Sequence, residues 1–481
     1  MHQLIGRKPE IQALNDAMAS PQAELIAVYG RRRVGKTYLI RTVYGPHTVF
    51  EISGIKNATL AGQLENFSET LSLRLNPELP MAIPRSWLQA FRMLIHFLES
   101  QAVTGQKQVV FFDEFPWFDT PRSGFLSAFD HFWNSWASRN PNMVVVICGS
   151  AASWMIQNVV RNKGGLHNRL TQRIRLMPFN LYETEQFLHA RHIHLDRYSI
   201  LQLYMAIGGI PQYLNGIRPG DSVAQAIDRL YFTPDGWLSD EHRNLYAALF
   251  ENADKHLAVV RALAEKPSGL TRTEILEACG ILSGGSATKV IEELAESGFI
   301  LGYTPFNKTT KDTLFKLGDE YSHFYYKFVE GSKALGPGAW LSRSSGASWV
   351  SWSGFAFENL CLKHVPQIKK ALGISGLYTE QSPWRFVAKE PGEEGAQIDL
   401  LLDRKDNCIN LIEIKFSGDV FTIDKKYAAT LRTKRRVFIE KTGTRKSVFF
   451  TLLTAFGAKS NEHYLGVIQN QITMDALFEA V

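Results

Sequence analysis

The chain has 481 residues, 45% of them hydrophobic and 21% charged, a balance that excludes an intrinsically disordered polymer and suits about three domains of roughly 150 residues. Its 53 Lys and Arg against 47 Asp and Glu leave a net charge of +6, too little for a protein that coats nucleic acid but enough for one local basic patch. Residues 402–446 hold 12 Lys/Arg and six Asp/Glu, so that stretch alone carries an excess equal to the whole chain's.

Cys148, Cys279, Cys361 and Cys408 are far apart and form no C-x-x-C pair, which argues against a disulfide framework or a zinc knuckle and suits a reducing compartment. The first residues lack the apolar core of a signal peptide, and no run approaches the ~20 apolar residues of a membrane helix. The expected location is the cytoplasm, with no membrane partner.

Residues 24–44, ELIAVYGRRRVGKTYLIRTVY, read as a buried strand, a glycine-and-arginine loop and a helix. Two further short apolar runs, Val109–Phe112 and Met143–Cys148, end in Asp113-Glu114 and Gly149-Ser150, and a helical period over Phe129, Phe132, Trp133 and Trp136 lies between them. Continuous apolar strands alternating with helices predict a doubly wound parallel sheet. Residues 180–245 are helical in pattern, broken at Gly208-Gly209-Ile210-Pro211-Gln212-Tyr213, and predict a helical lid. Three helical patterns, His256–Glu265, Thr271–Cys279 and Ser286–Glu296, followed by strand-like runs Phe299–Tyr303 and Thr313–Leu317, predict a winged helix. Residues 331–346 hold four Gly and four Ser and read as a linker. Beyond it a helix containing Glu358 precedes strands at Gln397–Leu402 and Asn410–Phe416. The expected domains are thus 1–180, an α/β core; 181–250, the lid; 251–330, the winged helix; 331–346, the linker; and 347–481, a C-terminal α/β domain.

Gly30-Arg31-Arg32-Arg33-Val34-Gly35-Lys36-Thr37, followed by Tyr38, satisfies G-x-x-x-x-G-K-[ST] between strand and helix. There, backbone N–H groups and a helix N-terminus can surround the polyphosphate of ATP or ADP, Lys36 can reach the β and γ phosphates, and the Thr37 hydroxyl can ligate Mg²⁺. Asp113, at the end of a strand, is the expected second Mg²⁺ contact, and Glu114 the group that orients or deprotonates the attacking water. Ser150 reads equally as a γ-phosphate sensor or as a helix cap.

These motifs, with Leu4-Ile5-Gly6-Arg7 and Glu10 at the start and the Gly208-Gly209-x-Pro211-x-Tyr213 break, make the first 330 residues resemble the archaeal-type ATPases of the P-loop AAA/STAND branch. The resemblance implies ATP hydrolysis with Lys36, Thr37, Asp113, Glu114 and Ser150 in the roles just given. It also implies an arginine directed at the γ phosphate; Arg169 stands at that position, with Arg173 and Arg175 as rivals and an ordinary surface arginine as the alternative.

Helix Ser286–Glu296 carries one lysine against three glutamates, a poor charge for groove entry, whereas Lys308, Lys311 and Lys316 on the wing favour DNA. DNA contact and protein–protein packing, including self-assembly, both remain open for this module. In the C-terminal domain Glu413 and Lys415 are two residues apart on a strand and share a face. With Asp399 on a neighbouring strand, two carboxylates could bind a hard cation while the lysine positions a hydroxide for attack on a phosphodiester. Glu358, Asp399 and Glu413-x-Lys415 resemble the PD-(D/E)xK phosphodiesterases, which implies a restriction-endonuclease-like fold; Ile398 stands where that family's pattern has proline. Two functions are therefore expected: an Mg²⁺-dependent ATPase coupled to a nuclease-like, nucleic-acid-associated domain, or a nucleotide-gated DNA-binding or scaffold protein whose C-terminal domain is inactive. His189, His192 and His194 lack the i, i+4 spacing of helical metal ligands, and tryptophans such as Trp133 and Trp154 read as packing residues.

Overall fold

The computed structural model describes residues 4–75, 81–160, 168–250, 253–332 and 336–481. They form two compact units, residues 1–177 with 248–251, and residues 178–247 with 252–481.

In the first unit, strands β1 (Glu24–Tyr29), β2 (Thr48–Ser53), β3 (Gln108–Asp113), β4 (Met143–Gly149) and β5 (Gln172–Arg175) make one sheet in the order β2-β3-β4-β1-β5. Every neighbouring pair is parallel. Strands β1, β3 and β4 are buried along their whole length, which is why each reads as an unbroken apolar run. Alternate residues Leu25, Ala27, Val110, Phe112, Val145 and Ile147 enter one core with Phe91, Phe125, Phe129, Phe132 and Trp133. The edge strands β2 and β5 are only partly buried and carry polar residues, so the apolar signal that marks the three central strands is missing from them.

The second unit begins with helices Leu181–Ala190 and Arg197–Ile207 and takes in residues 237–247 of helix Trp237–Leu249. At the glycine break, Phe179 N–H donates to Gly209 O at 2.7 Å, and a Cβ on Gly209 would lie 1.9 Å from Phe179 O. No residue with a side chain fits there. Next come helices Ala253–Ala264, Arg272–Cys279 and Gly285–Glu296 and the strands β6 (Leu270–Thr271), β7 (Ile300–Tyr303) and β8 (Leu314–Leu317), antiparallel in the order β6-β8-β7.

Within the stretch read as a linker, residues 336–346 are held down. Among residues 336–346, Trp340 is 1% exposed and stacks on Phe232 with its ring centroid 5.7 Å away. The buried Asp228 carboxylate accepts the Gly338 and Trp340 N–H groups at 2.7 and 2.6 Å. Glycine and serine content signals flexibility only until one aromatic finds a pocket. Beyond it, helix Ala347–Lys363 precedes strands β9 (Thr379–Phe386), β10 (Ala396–Arg404), β11 (Cys408–Lys415), β12 (Ser447–Thr454) and β13 (Asn470–Thr473), with helix Lys425–Thr442 between β11 and β12. The sheet order is β13-β12-β11-β10-β9; β9, β10 and β11 form an antiparallel meander, while β12 and β13 join in parallel. Among the described residues, no helix is long and apolar enough to cross a membrane.

Candidate functional site

Strand β1 delivers the phosphate loop to the C-terminal edge of the parallel sheet, where ligands of open α/β folds sit. Gly30 adopts φ +150°, and a Cβ there would stand 2.2 Å from Leu176 O, held in place because Leu176 N–H donates to Tyr29 O. Gly35, at φ +91° and with no side chain to cap helix Lys36–Tyr44, leaves the first helical N–H groups facing the loop. Lys36 Nζ donates to Gly30 O at 3.1 Å and Arg31 O at 3.0 Å, so the ammonium lies inside the loop it is expected to serve. Arg31 and Val34 are buried, whereas Arg32 and Tyr38 are exposed and Arg33 is half-buried at φ +70°.

Because β4 lies between β1 and β3, Ser150 at its end stands between the loop and the acidic pair. Thr37 Oγ1 donates to Asp113 Oδ2 at 2.8 Å, and Glu114 N–H donates to Asp113 Oδ1 at 2.9 Å. Glu114 Oε2 accepts from Ser150 Oγ at 2.7 Å and Ser150 N–H at 3.2 Å. The Glu114 backbone is left-handed, at φ 46° and ψ 46°, which costs about 1–2 kcal/mol for a residue with a Cβ and turns its side chain toward Ser150. The structure therefore brings Lys36, Thr37, Asp113, Glu114 and Ser150 into one connected arrangement. Burial pushes the thiol of Cys148, which precedes Gly149-Ser150, well above its usual range, with the Asp113 carboxylate adding to the effect.

Arg169, Arg173 and Arg175 are all exposed, on β5 or just before it. Arg169 makes no hydrogen bond or ion pair with another described residue, and Gly165, Leu166 and His167 of its motif lie outside the described residues. One contributor that motif reading left without a role is Arg7. It is 4% exposed and its Nη2 donates to Val34 O at 3.2 Å, bracing the loop from the start of the chain. Its signal was the Leu4-Ile5-Gly6-Arg7 segment.

The C-terminal carboxylates also converge. Leu400 pairs with Ile412 across β10 and β11, which sets Asp399 beside Glu413, and Asp399 Oδ2 accepts the Ile414 N–H at 3.0 Å. Glu413, 1% exposed, accepts from Lys434 Nζ and the Tyr427 hydroxyl, each at 2.7 Å, and pairs with Lys415 Nζ at 3.0 Å. Glu358 Oε1 binds Lys316 Nζ of β8 at 2.6 Å. Burial, then the charges of Glu413 and Glu358, push Asp399 up to about 7. Burial would also raise Glu413, but Lys434 and Lys415 outweigh it and hold that carboxyl below its usual value. For Lys415, burial acts downward and the Glu413 and Asp399 carboxylates overcome it, so its ammonium is held above the ordinary range.

These partners decide whether a cation fits. At the phosphate loop the two nearest oxygen donors, Thr37 and Asp113, share only a hydroxyl proton, and that hard pair suits Mg²⁺. In the C-terminal set, Glu358 and Glu413 are bound by ammonium groups, Asp399 is pushed toward its neutral form, and no group of three or more His, Cys, Asp or Glu among the described residues is arranged to hold an ion. A cation does not fit it in this arrangement. Tyr427 and Lys434, the partners that sequence reading missed, are seven residues apart on helix Lys425–Thr442 and so share its inner face. Of the three wing lysines that favoured DNA, Lys316 is 4% exposed and spent on Glu358, whereas Lys308 and Lys311 are exposed. Of the helix Gly285–Glu296 glutamates, Glu293 turns inward to His256 Nε2 at 2.8 Å.

A five-stranded parallel sheet with a phosphate loop after β1 and an acidic pair after β3 defines a P-loop nucleotide-binding domain. Residues 4–217 match the family model of an ATPase domain predominantly from Archaea, so the protein carries an ATP-binding domain and is an ATP-hydrolysing enzyme. An uncharacterized protein of Methanocaldococcus jannaschii is 23% identical over 419 residues, covering 86% of this chain and 87% of that protein. Among solved structures, the Walker-type ATPase of Pyrococcus abyssi is 17% identical, covers 68% of this chain and 96% of its own, and has a TM-score of 0.48. The ORC2 protein of Aeropyrum pernix, solved in ADPNP and ADP complexes, is 16% identical, covers 67% and 92%, and has a TM-score of 0.39.

Proposed function

We propose that this ATPase couples Mg·ATP binding and hydrolysis at the loop Gly30–Thr37 to a winged-helix module and a PD-(D/E)xK-like C-terminal domain that acts on nucleic acid. Lys36 would neutralise the β and γ phosphates, Thr37 and Asp113 would hold Mg²⁺, Glu114 would hold the attacking water, and Ser150 would report the γ phosphate through its bond to Glu114. The Mg²⁺ supplies charge neutralisation at the phosphates when bound.

The observation that carries the nuclease-like half is the Asp399–Glu413 juxtaposition on antiparallel strands, with Lys415 on the Glu413 face and the helix glutamate Glu358 close enough to raise Asp399. Exposed Lys425, Lys426, Arg432 and Arg435 on the helix that supplies Tyr427 and Lys434 give that domain a surface suited to phosphate backbones. Nicking of supercoiled plasmid in Mn²⁺, with and without ATP, tests it. Because no cation fits the set in the arrangement described, the wild-type chain should nick with ATP and not without it, and Glu413→Ala should nick in neither condition.

A second reading is favoured by one specific observation, the lysines bound to Glu358 and Glu413. On that reading the C-terminal domain cuts nothing, and nucleotide state governs association with DNA or a partner protein. Equal plasmid integrity with wild type and Glu413→Ala, together with nucleotide-dependent retention of DNA, would decide for it.

A further inference from the structure

The C-terminal carboxylate site is built from two modules. Glu413, Asp399, Lys415 and Lys434 come from the C-terminal sheet and its helix, but the partner of Glu358 arrives from the wing. Strand β8 docks on helix Ala347–Lys363 twice in succession: Lys316 Nζ reaches Glu358 at 2.6 Å, and Leu317 O accepts Asn359 Nδ2 at 3.2 Å. Elsewhere on the wing, Phe306 N–H donates to Pro383 O at 3.3 Å, and the Phe306 ring packs on Phe438 with centroids 5.7 Å apart.

The arithmetic of charge gives this docking a chemical consequence. Glu358 and Glu413 are bound by three ammonium groups, Lys316, Lys415 and Lys434, while Asp399 beside Glu413 is pushed toward its neutral form. Tyr303 on β7 also lies within the influence of Glu358, and Cys361 within that of both Glu358 and Asp399, but neither brings a positive charge. Lys316 is therefore the one cation of this set that leaves if the wing leaves. A half-buried carboxylate that loses its ammonium partner is left to water or to another cation.

Resting on the nuclease-like reading above, we propose that Lys316 is a positioning residue of the C-terminal site: by holding Glu358 it consumes that carboxylate's charge within the protein and excludes a divalent cation while the wing is docked. The wing thus has a second role besides any contact with nucleic acid. Movement of the wing changes the charge of the carboxylate set by a full unit.

Mn²⁺ binding to the nucleotide-free full-length chain, measured by the electron paramagnetic resonance signal of free Mn²⁺, reads this directly. An Asp113→Asn background removes the cation contact at the phosphate loop. Lys316→Met in that background should bind Mn²⁺ at least about tenfold tighter than the background chain, because one nearby positive charge is gone. Adding Glu358→Gln should cancel the gain, which a packing role for Lys316 would not explain, and Phe306→Ala, which loosens the wing without altering charge, should shift affinity in the same direction. The second variant keeps the test decisive if Lys316→Met folds poorly. Unchanged affinity in both variants, with residual binding still lost in Glu413→Ala, overturns the role of Lys316 and leaves the nuclease-like reading standing. Binding that ignores Glu413→Ala, or no saturable binding in any variant, overturns the nuclease-like reading itself.

Discussion

Glu114→Gln should separate ATP binding from ATP hydrolysis in this site, because the Glu114 carboxylate is bonded to Ser150 and not to the loop. The amide has the same shape and keeps one oxygen to accept the Ser150 hydroxyl and N–H now at 2.7 and 3.2 Å. Replacing two charge-assisted hydrogen bonds by neutral ones costs about 1–2 kcal/mol, a small fall in the melting temperature of the ATPase unit. Lys36 and the Thr37–Asp113 pair are bonded independently of the Glu114 side chain, so nucleotide affinity should stay within about threefold of wild type. If Glu114 is the base proposed above, turnover should fall by the 10²–10⁴-fold that a base typically contributes, or about 3–5 kcal/mol of barrier. Phosphate release at saturating ATP, run beside equilibrium binding of a fluorescent ATP analogue, measures both quantities. Lys36→Ala is the companion, expected to lose binding as well as turnover. Turnover in Glu114→Gln within threefold of wild type, or a loss of turnover matched by a loss of binding, would refute the assignment of Glu114 to the water.

Gly30→Ala should destabilise the first unit by about 3 kcal/mol or more, since the added Cβ meets Leu176 O at 2.2 Å from a backbone at φ +150°; an unchanged melting temperature would contradict that contact. Asp228→Asn should weaken the anchor of residues 336–340 by about 1–2 kcal/mol and speed limited proteolysis within 331–346, and an unchanged cleavage rate would show that the packing of Trp340 suffices alone. Burial holds His242, His323 and His364 neutral, with pKa values lowered from 6.5 to about 4. Between those values the unfolded chain binds protons that the folded one refuses, so each group costs roughly 2 kcal/mol of stability by pH 5. Asp399, raised from 3.8 to about 7, works in the opposite sense, and its contribution grows as pH falls through 7. Three groups against one leave a net loss of roughly 3 kcal/mol from pH 7 to pH 5, visible as a falling melting temperature of the second unit; a flat profile would refute the burial argument.

The nucleotide site was legible in the sequence because each of its side chains follows a strand that must be apolar to be buried. Gly30, Asp113 and Ser150 could be placed at the ends of runs that could be read, and the sheet order then did the rest. The edge strands β2 and β5 were not legible, since an edge strand has one neighbour and keeps polar residues. Neither was the role of Trp340: the flanking glycines and serines describe the freedom of the unfolded chain, whereas its anchor, Asp228, lies 112 residues away. Arg7 was visible as part of a motif but not as a brace, because its target is a backbone carbonyl, Val34 O, which leaves no trace in side-chain spacing.

The two acidic sites show how far a motif can carry chemistry. At the phosphate loop the carboxylates of Asp113 and Glu114 are bonded to hydroxyl and amide groups, from Thr37, Ser150 and the backbone, so both charges remain available to a cation and a water. At the C-terminal site the same residue types in an equally orderly pattern meet Lys316, Lys415 and Lys434, and the charge is consumed within the protein. A hydroxyl partner orients a carboxylate and leaves its charge; an ammonium partner cancels it. Only Lys415 of those three lysines belongs to the E-x-K pattern. Whether such a carboxylate set can bind a cation therefore depends on residues outside the E-x-K pattern, and here one of them, Lys316, lies on β8, far from the set in sequence.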